Sequence, residues 1–161
     1  MADRLRGDAP FSFAMEHYLD TVYRAACHHA PTVQDAEDVT QEVFEALLRS
    51  GKAFADGEHL KAWLLRVAIN KCKNLHRARR STEVPLSDAM AAPVAEEGSV
   101  LEEVRALPAP YRSALYLHYF EGYTAAEIGE IMGAGRNTVL SWLSRGRKAL
   151  RARMIGGFDD E

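Results

Sequence analysis

The sequence predicts an all-α protein made of two small helical domains joined by a flexible linker. Apolar residues recur at helical spacing over most of the 161 residues, and no convincing run alternates apolar and polar residues as a β-strand would. This periodicity stops between Ser81 and Gly98, where Pro85, Pro93 and a run of small residues are typical of a linker. Hydrophobic residues make up 47% of the chain, which is enough for packed cores.

The helical periodicity divides the chain into successive segments. The predicted helices lie near Phe11–His29, Thr32–Arg49, His59–Arg79, Ser99–Leu107, Pro110–Glu121, Thr124–Met132 and Arg136–Met154. Two of them begin with a capping box, in which a hydroxyl and a carboxylate satisfy the first backbone amides: Ser99 with Glu102, and Thr124 with Glu127. The predicted limits are a first domain at 1–80, a linker at 81–98, a four-helix second domain at 99–154 and an acidic tail at 155–161.

Positive charge is concentrated in two segments, although the net charge of the chain is −3. Six cations and no acid lie between Arg66 and Arg80, and six more cations without an acid lie between Arg136 and Arg153. Acidic residues cluster elsewhere: on the second predicted helix, between Glu96 and Glu103, and in the last three residues. Because phosphate contacts need local positive charge, and an acidic surface suits another partner, this distribution predicts at least two kinds of partner.

The second predicted helix carries a regular acidic face. Its inward side would comprise Ala36, Val39, Val43 and Leu47. Its outward side would comprise Gln34, Glu37, Asp38, Gln41 and Glu45. Such a face could bind a basic protein partner, or it could simply be solvated.

The third predicted helix combines an apolar stripe with a polar face that contains a tryptophan. The stripe comprises Leu60, Leu64, Val67, Ala68, Cys72 and Leu75. The polar face comprises Trp63, Arg66, Asn70, Lys73, Asn74 and Arg77. This combination suits single-stranded DNA, because an indole can stack on an unpaired base, carboxamides can read its edge and cations can hold the backbone. The alternative is that Trp63 packs against the first helix as a core residue.

The last two predicted helices have the spacing of a helix-turn-helix motif. Glycines at 133 and 135 would allow the sharp turn between them. On the last helix, the buried side would comprise Val139, Leu143, Gly146 and Leu150, and the outward side Asn137, Ser141, Ser144, Arg145 and Lys148. A polar and basic outward face is typical of a recognition helix that contacts duplex DNA, although an ordinary amphipathic helix would look similar.

Five segments together carry a family resemblance: Asp35–Phe44, Leu60–Arg80, Leu107–Leu115, Tyr119–Thr124 and Ala126–Gly133. In order and spacing they resemble the extracytoplasmic-function sigma factors of bacterial RNA polymerase, over nearly the whole chain. The first segment is similar to the polymerase-binding part of the family's first domain, and the second to the helix that melts and reads the minus-ten promoter element. The remaining three are similar to the second domain, which reads the minus-thirty-five element.

The resemblance implies a transcription initiation factor that docks on core RNA polymerase, directs it to a promoter class and helps to open the duplex, often while held in check by an anti-sigma protein. It implies that the polymerase would be contacted by Asp35, Glu37, Asp38, Gln41 and Glu42. The minus-ten element, as duplex and melted strand, would be contacted by Trp63, Arg66, Asn70, Lys71, Lys73, Asn74 and Arg77. The minus-thirty-five element would be contacted by Arg136, Asn137, Thr138, Ser141, Ser144, Arg145 and Lys148. The chain departs from the family at Leu140 and Trp142, where cations are usual; either DNA or a protein could meet these two side chains.

Other classes of function have less support in the sequence. Neither Cys27 with its neighbouring histidines nor Cys72 with His76 supplies the four ligands of a structural zinc site, so we expect no metal and no cofactor. No phosphate loop, nucleophile elbow or convincing acid pair is present, so we expect no catalytic residues and no enzyme. Two alternatives stay open: a sigma-like mimic that binds only proteins, and an autonomous helix-turn-helix regulator. With no leader resembling a signal peptide and no long apolar run, we expect a cytoplasmic protein without membrane insertion.

Overall fold

A computed structural model of the protein describes residues 9–82 and 100–159, and every regular element within those ranges is a helix. The chain divides into two compact units, Met1–Val94 and Ala95–Glu161. The predicted all-α class with two small helical domains is therefore confirmed.

The helices are numbered in chain order. Unit 1 contains α1 (Ala9–His17), α2 (Leu19–His29), α3 (Val33–Ser50) and α4 (Gly57–Thr82). Unit 2 contains α5 (Val100–Arg105), α6 (Ala109–Leu115), a π-helical turn (Tyr116–Phe120), α7 (Ala125–Met132) and α8 (Arg136–Asp159). The first two residues of the predicted linker end α4. The rest of the linker lies outside the described residues, as does Ser99, which the sequence predicts as the cap of α5.

The helices of unit 1 share one hydrophobic core. Val39 and Val43 of α3 are fully buried, as are Leu60 and Leu64 of α4. Each pair is spaced by four residues, so both side chains lie on the same face of their helix. Val22 of α2 completes the centre of the core, which holds α3 and α4 in fixed register.

The first predicted helix is divided at Tyr18. This residue takes φ −123° and ψ 7°, which ends α1 and starts α2. Helical hydrogen bonds still cross the junction, because the Tyr18 amide donates to the Ala14 carbonyl at 2.7 Å and the Val22 amide donates to the Tyr18 carbonyl at 3.0 Å. The division is therefore a bend, and the Tyr18 ring packs beside that of Phe13 at 5.8 Å between centroids.

Unit 2 has its own core, to which α5, α6, α7 and α8 all contribute. Val104, Leu115 and Ile128 come from the first three of these helices and are almost fully buried. The fourth, α8, contributes Val139 and Leu143, which confirms the predicted inward side at these two positions. The recognition-type helix is thus fixed by its apolar side, and its other side remains exposed within the unit.

The helix predicted near Pro110–Glu121 ends in a wider turn. The Glu121 amide donates to the Tyr116 carbonyl, five residues earlier, at 3.3 Å. The buried Tyr116 ring stacks on Phe120, and its hydroxyl donates to the Glu121 carboxylate at 3.1 Å. The periodicity of α6 therefore changes before α7 begins, which is typical of a π-helical segment.

The helix-turn-helix motif is present, with its predicted α7 cap and with Gly133, one of the two predicted turn glycines, in a left-handed conformation. At the start of α7, the Thr124 hydroxyl accepts from the Glu127 amide and the Glu127 carboxylate accepts from the Thr124 amide, so this predicted capping box is confirmed. At the end of α7, Gly133 takes φ 71°, a left-handed conformation that favours glycine. The Ala134 amide then donates to the Gly129 carbonyl at 2.9 Å, which closes the turn before α8.

The last helix is longer than predicted, because α8 continues from Met154 to Asp159. It therefore includes most of the segment predicted as an acidic tail. Across residues 9–82 and 100–159, no helix combines the length and the apolarity needed to span a membrane.

Candidate polymerase and nucleic-acid interfaces

The acidic face of α3 is exposed. It comprises the exposed Gln34, Glu37, Asp38, Gln41 and Glu42 and the half-buried Glu45. The Gln41 side-chain amide donates to the Glu45 carboxylate at 3.0 Å, so these two side chains are aligned one turn apart. The predicted outward orientation is therefore confirmed at Gln34, Glu37, Asp38 and Gln41. Glu45 is half-buried, and its carboxylate also lies 3.6 Å from the Arg49 guanidinium.

Asp35 differs from the rest of this set. It is 8% exposed, its amide donates to the Thr32 hydroxyl at 3.0 Å, and that hydroxyl donates to the Asp35 carboxylate at 2.9 Å. The Asp35 carboxylate also forms an ion pair with Arg79 of α4 at 2.6 Å. We therefore correct the expectation that Asp35 contacts the polymerase, because its contacts cap α3 and hold the end of α4.

The polar face of α4 is also largely as predicted. Its exposed side chains are Arg66, Asn70, Lys73, Asn74 and Arg77. The end of the helix is held in place by the Asp35–Arg79 ion pair and by the His76 ring nitrogen, which lies 2.8 Å from the carbonyl oxygen of His29. This row of cations and carboxamides is therefore presented on a helix that is anchored over much of its length.

Trp63 and Lys71 lie at the edges of this polar face. The Trp63 ring is half-buried and meets Phe54 edge-on, at 5.8 Å between centroids. It packs against the core while keeping part of its surface exposed, so it partly fits both sequence-based alternatives. The half-buried Lys71 ammonium lies 3.8 Å from the Glu42 carboxylate of α3. The α4 polar face is therefore adjacent to the α3 acidic face.

The outward side of α8 is polar and basic. Six of the seven side chains predicted to contact the minus-thirty-five element are exposed: Arg136, Asn137, Thr138, Ser144, Arg145 and Lys148. The seventh, Ser141, is half-buried. Gly146 lies on the buried side as predicted, and a Cβ atom added there would come 3.1 Å from the Leu115 side chain. The close packing of α8 on α6 at this glycine fixes the direction in which the outward side points.

The structure distinguishes the two positions, Leu140 and Trp142, at which the sequence departs from the pattern of the family that it resembles. Leu140 is 39% exposed, on the flank of α8 shared with the exposed Arg136 and Ser144. Trp142 is half-buried, on the opposite flank. The two side chains therefore lie on different surfaces of α8 and differ in exposure.

Two apolar grooves were not anticipated from the sequence. In unit 2, a groove of about 550 Å³ is lined by Val104, Tyr119, Phe120, Met154 and Ile155 among others. In unit 1, a groove of about 410 Å³ lies beside the α3 acidic face and is lined by Phe11, Met15, Leu19, Glu37, Glu45 and Leu48 among others. The sequence signal that could have revealed these grooves is that the helices carry more apolar residues than one buried stripe on each helix can hold. Leu65 and Ile69 of α4 show the same excess, because both are buried outside the predicted stripe.

The described part of the chain contains no group of three or more histidine, cysteine or acidic side chains placed to hold a metal ion. Cys27 and Cys72 are both buried. The Cys72 thiol lies 4.0 Å from the carbonyl oxygen of Ala26 and belongs to the unit 1 core, as its predicted position in the apolar stripe implies.

Comparison with known proteins shows that each of the two units is similar to a region of the Sigma-70 family. Residues 14–82 match the family model Sigma-70 region 2, and residues 97–150 match Sigma-70, region 4. The chain is 29% identical to the ECF RNA polymerase sigma factor SigM of Mycobacterium tuberculosis over 165 residues, which cover 97% of this chain and 83% of SigM. It is 30% identical over 151 residues to SigE of Mycolicibacterium smegmatis, which cover 85% of this chain but only 58% of SigE.

A solved structure is also similar over most of its length. The sigma factor RpoE of Bartonella quintana, crystallised with the anti-sigma factor NepR, matches with a TM-score of 0.71 and 25% identity, over 90% of this chain and 96% of that one. CnrH, solved with the cytosolic domain of CnrY, matches with a TM-score of 0.67 at 22% identity and supports the fold alone.

Proposed function

The chain belongs to the extracytoplasmic-function sigma factors, and on that premise we propose that it binds core RNA polymerase and directs it to a class of promoters. One observation carries the proposal: the chain contains two units, a region 2 followed by a region 4, and each unit exposes a basic face. Both faces belong to helices whose other sides are fixed in a core. In this role the protein is a transcription initiation factor rather than an enzyme.

For the polymerase interface, we propose the exposed acidic face of α3 together with the neighbouring apolar groove. The face supplies carboxylates at Glu37, Asp38 and Glu42, and the groove supplies exposed apolar surface at Met15 and Leu48. A partner segment that carries both basic and apolar side chains would be complementary to the two surfaces together.

Charge reversal tests this interface. We expect the double variant Asp38→Arg, Gln41→Arg to lose co-purification with core polymerase, because two added cations would repel a basic partner. Asp20→Arg, which adds a cation at an exposed residue of α2, serves as the control and should leave binding intact. Normal holoenzyme formation by the double variant, with an unchanged helical signal, would rule out this face as the docking surface.

For the promoter, we propose that α4 contacts the opened minus-ten strand. Its exposed cations can hold the sugar-phosphate backbone while Asn70 and Asn74 hydrogen-bond to unpaired base edges. The exposed part of Trp63 offers a surface on which a base can stack.

We propose that α8 contacts the minus-thirty-five element in the major groove. The side chains assigned to this contact are Arg136, Asn137, Thr138, Ser141, Ser144, Arg145 and Lys148. Base edges would be met chiefly by the residues in the first half of the helix, and phosphates by the later cations.

We further propose that an anti-sigma protein controls the chain in the bacterial cytoplasm, where core polymerase is found. The support is the similarity to RpoE, which was solved with NepR. We propose that this partner competes with core polymerase for the chain, so that adding purified core polymerase should displace it.

A further inference from the structure

Leu140 is an exposed apolar side chain within the surface that we assign to duplex DNA. It is 39% exposed. Arg136 and Asn137, one turn before it, and Ser144, one turn after it, are exposed as well. At about 100° per residue, these four side chains lie within a sector of about 100° around α8. Leu140 is therefore flanked on both sides by groups that would meet DNA.

Most side chains around Leu140 are short. Asn137, Ser141 and Ser144 extend only a few atoms from the backbone, whereas the long cations lie at the start of α8, at Arg136, and further along it, at Arg145 and Lys148. Short side chains let the first half of a recognition helix approach the floor of the major groove, where base edges are read. At that approach, a leucine side chain can reach a base.

We propose that Leu140 reads a thymine of the upstream promoter element through the C5 methyl group of that base. The inference rests on the proposed contact between α8 and duplex DNA. Leucine has no hydrogen-bonding group, and the thymine methyl is the apolar feature among the polar base edges of the major groove. At any other base, Leu140 would remove water from a polar base edge and offer no hydrogen bond in its place, which is unfavourable.

Trp142 takes no part in this contact. It lies about 160° around the helix from Leu140 and is half-buried. Its large ring is partly covered within unit 2. Of the two apolar residues at which the chain departs from its family, only Leu140 is therefore proposed to select thymine.

Removal of single methyl groups from the DNA tests the proposal. Upstream-element duplexes bound by holoenzyme are first selected from a randomised library. Each thymine of the selected element is then replaced, one at a time, by deoxyuridine, which pairs identically but lacks the methyl. Binding is measured for the wild-type holoenzyme, for Leu140→Ala, and for Leu140→Met as a control that keeps an apolar side chain.

We expect one deoxyuridine position to weaken wild-type binding about fourfold, the effect of losing one buried methyl contact. The same position should weaken the Leu140→Met holoenzyme to a similar extent and leave Leu140→Ala unaffected. If no deoxyuridine changes wild-type binding, or if the loss is as large in Leu140→Ala, the inference is wrong. Removing the cations at Arg136, Arg145 and Lys148 together separates this result from failure of the proposed function. If that triple alanine variant also leaves duplex binding unchanged, α8 does not bind the upstream element at all.

Discussion

Gly129 is the position at which the geometry of the helix-turn-helix motif can be tested most sharply. It is buried near the middle of α7, and a Cβ atom added there would overlap the carbonyl oxygen of Ala134 in the turn. That oxygen cannot easily move away, because the Ala134 amide donates to the Gly129 carbonyl at 2.9 Å and holds the two segments together. Gly129→Ala should therefore force the turn open and change the direction of α8.

Two opposing effects set the size of the loss. Replacing a mid-helix glycine by alanine ordinarily stabilises a helix by about 0.5–1 kcal/mol, whereas overpacking against a neighbour costs about 1–3 kcal/mol. Because the neighbour here is backbone rather than a flexible side chain, we expect overpacking to dominate, with a net loss of about 1–2 kcal/mol. For a domain the size of unit 2, this corresponds to a decrease in Tm of roughly 5–15 °C.

The assay is thermal unfolding of the intact chain by circular dichroism, paired with binding of the holoenzyme to an upstream-element duplex. Gly135→Ser is the matched control, because a Cβ atom at Gly135 meets nothing within 4 Å and serine is well suited to the position before a helix. We expect the control to keep wild-type stability and binding. If Gly129→Ala is as stable as the control and binds the duplex normally, Gly129 and the Ala134 carbonyl do not approach as closely as described, and the reasoning is refuted.

Three further results are expected. The pKa of Glu127 lies below its ordinary value of 4.5, chiefly because the Thr124 backbone amide donates to this carboxylate and secondly because of the Thr124 hydroxyl. The ionised carboxylate therefore stabilises α7 above pH 4.5, and this stabilisation is lost as the pH falls through the lowered pKa. Glu127→Gln should therefore flatten the acid limb of a plot of Tm against pH; an unaltered limb would contradict this. Asn70→Ala should impair promoter opening more than recruitment, and a pre-melted template should rescue it; failure of that rescue would indicate a folding defect. Arg145→Ala should reduce the salt dependence of upstream-element binding by about 0.9 in slope if it loses one phosphate contact, and an equal slope would place Arg145 away from the backbone.

The parts of the fold that depend on local sequence could be predicted from it. The α7 cap at Thr124 and Glu127 and the buried spacing of Val139 and Leu143 are set by residues three or four positions apart, and the structure has them as predicted. The bend at Tyr18 was missed because apolar residues continue across it without a proline or glycine to mark a boundary.

The misplacement of Asp35 has both a local and a distant cause. Thr32 and Asp35 form a Thr-x-x-Asp sequence that itself signals a helix cap, so the local part of its burial could have been found. Its partner Arg79 lies 44 positions away in the sequence, and no periodicity within one helix can reveal such a pairing. The grooves beside Leu48 and Phe120 were missed for the same reason, because several helices together form them.

Transcription in vitro tests the central claim most directly. Purified core polymerase would be supplied with a promoter library, with and without this chain, and the transcripts sequenced. We expect chain-dependent transcripts from a subset of promoters that share an upstream and a minus-ten element, and we expect the Asp38→Arg, Gln41→Arg variant to abolish them. Binding of the chain to core without any chain-dependent transcript would contradict the account and indicate a sigma-like protein that does not initiate transcription.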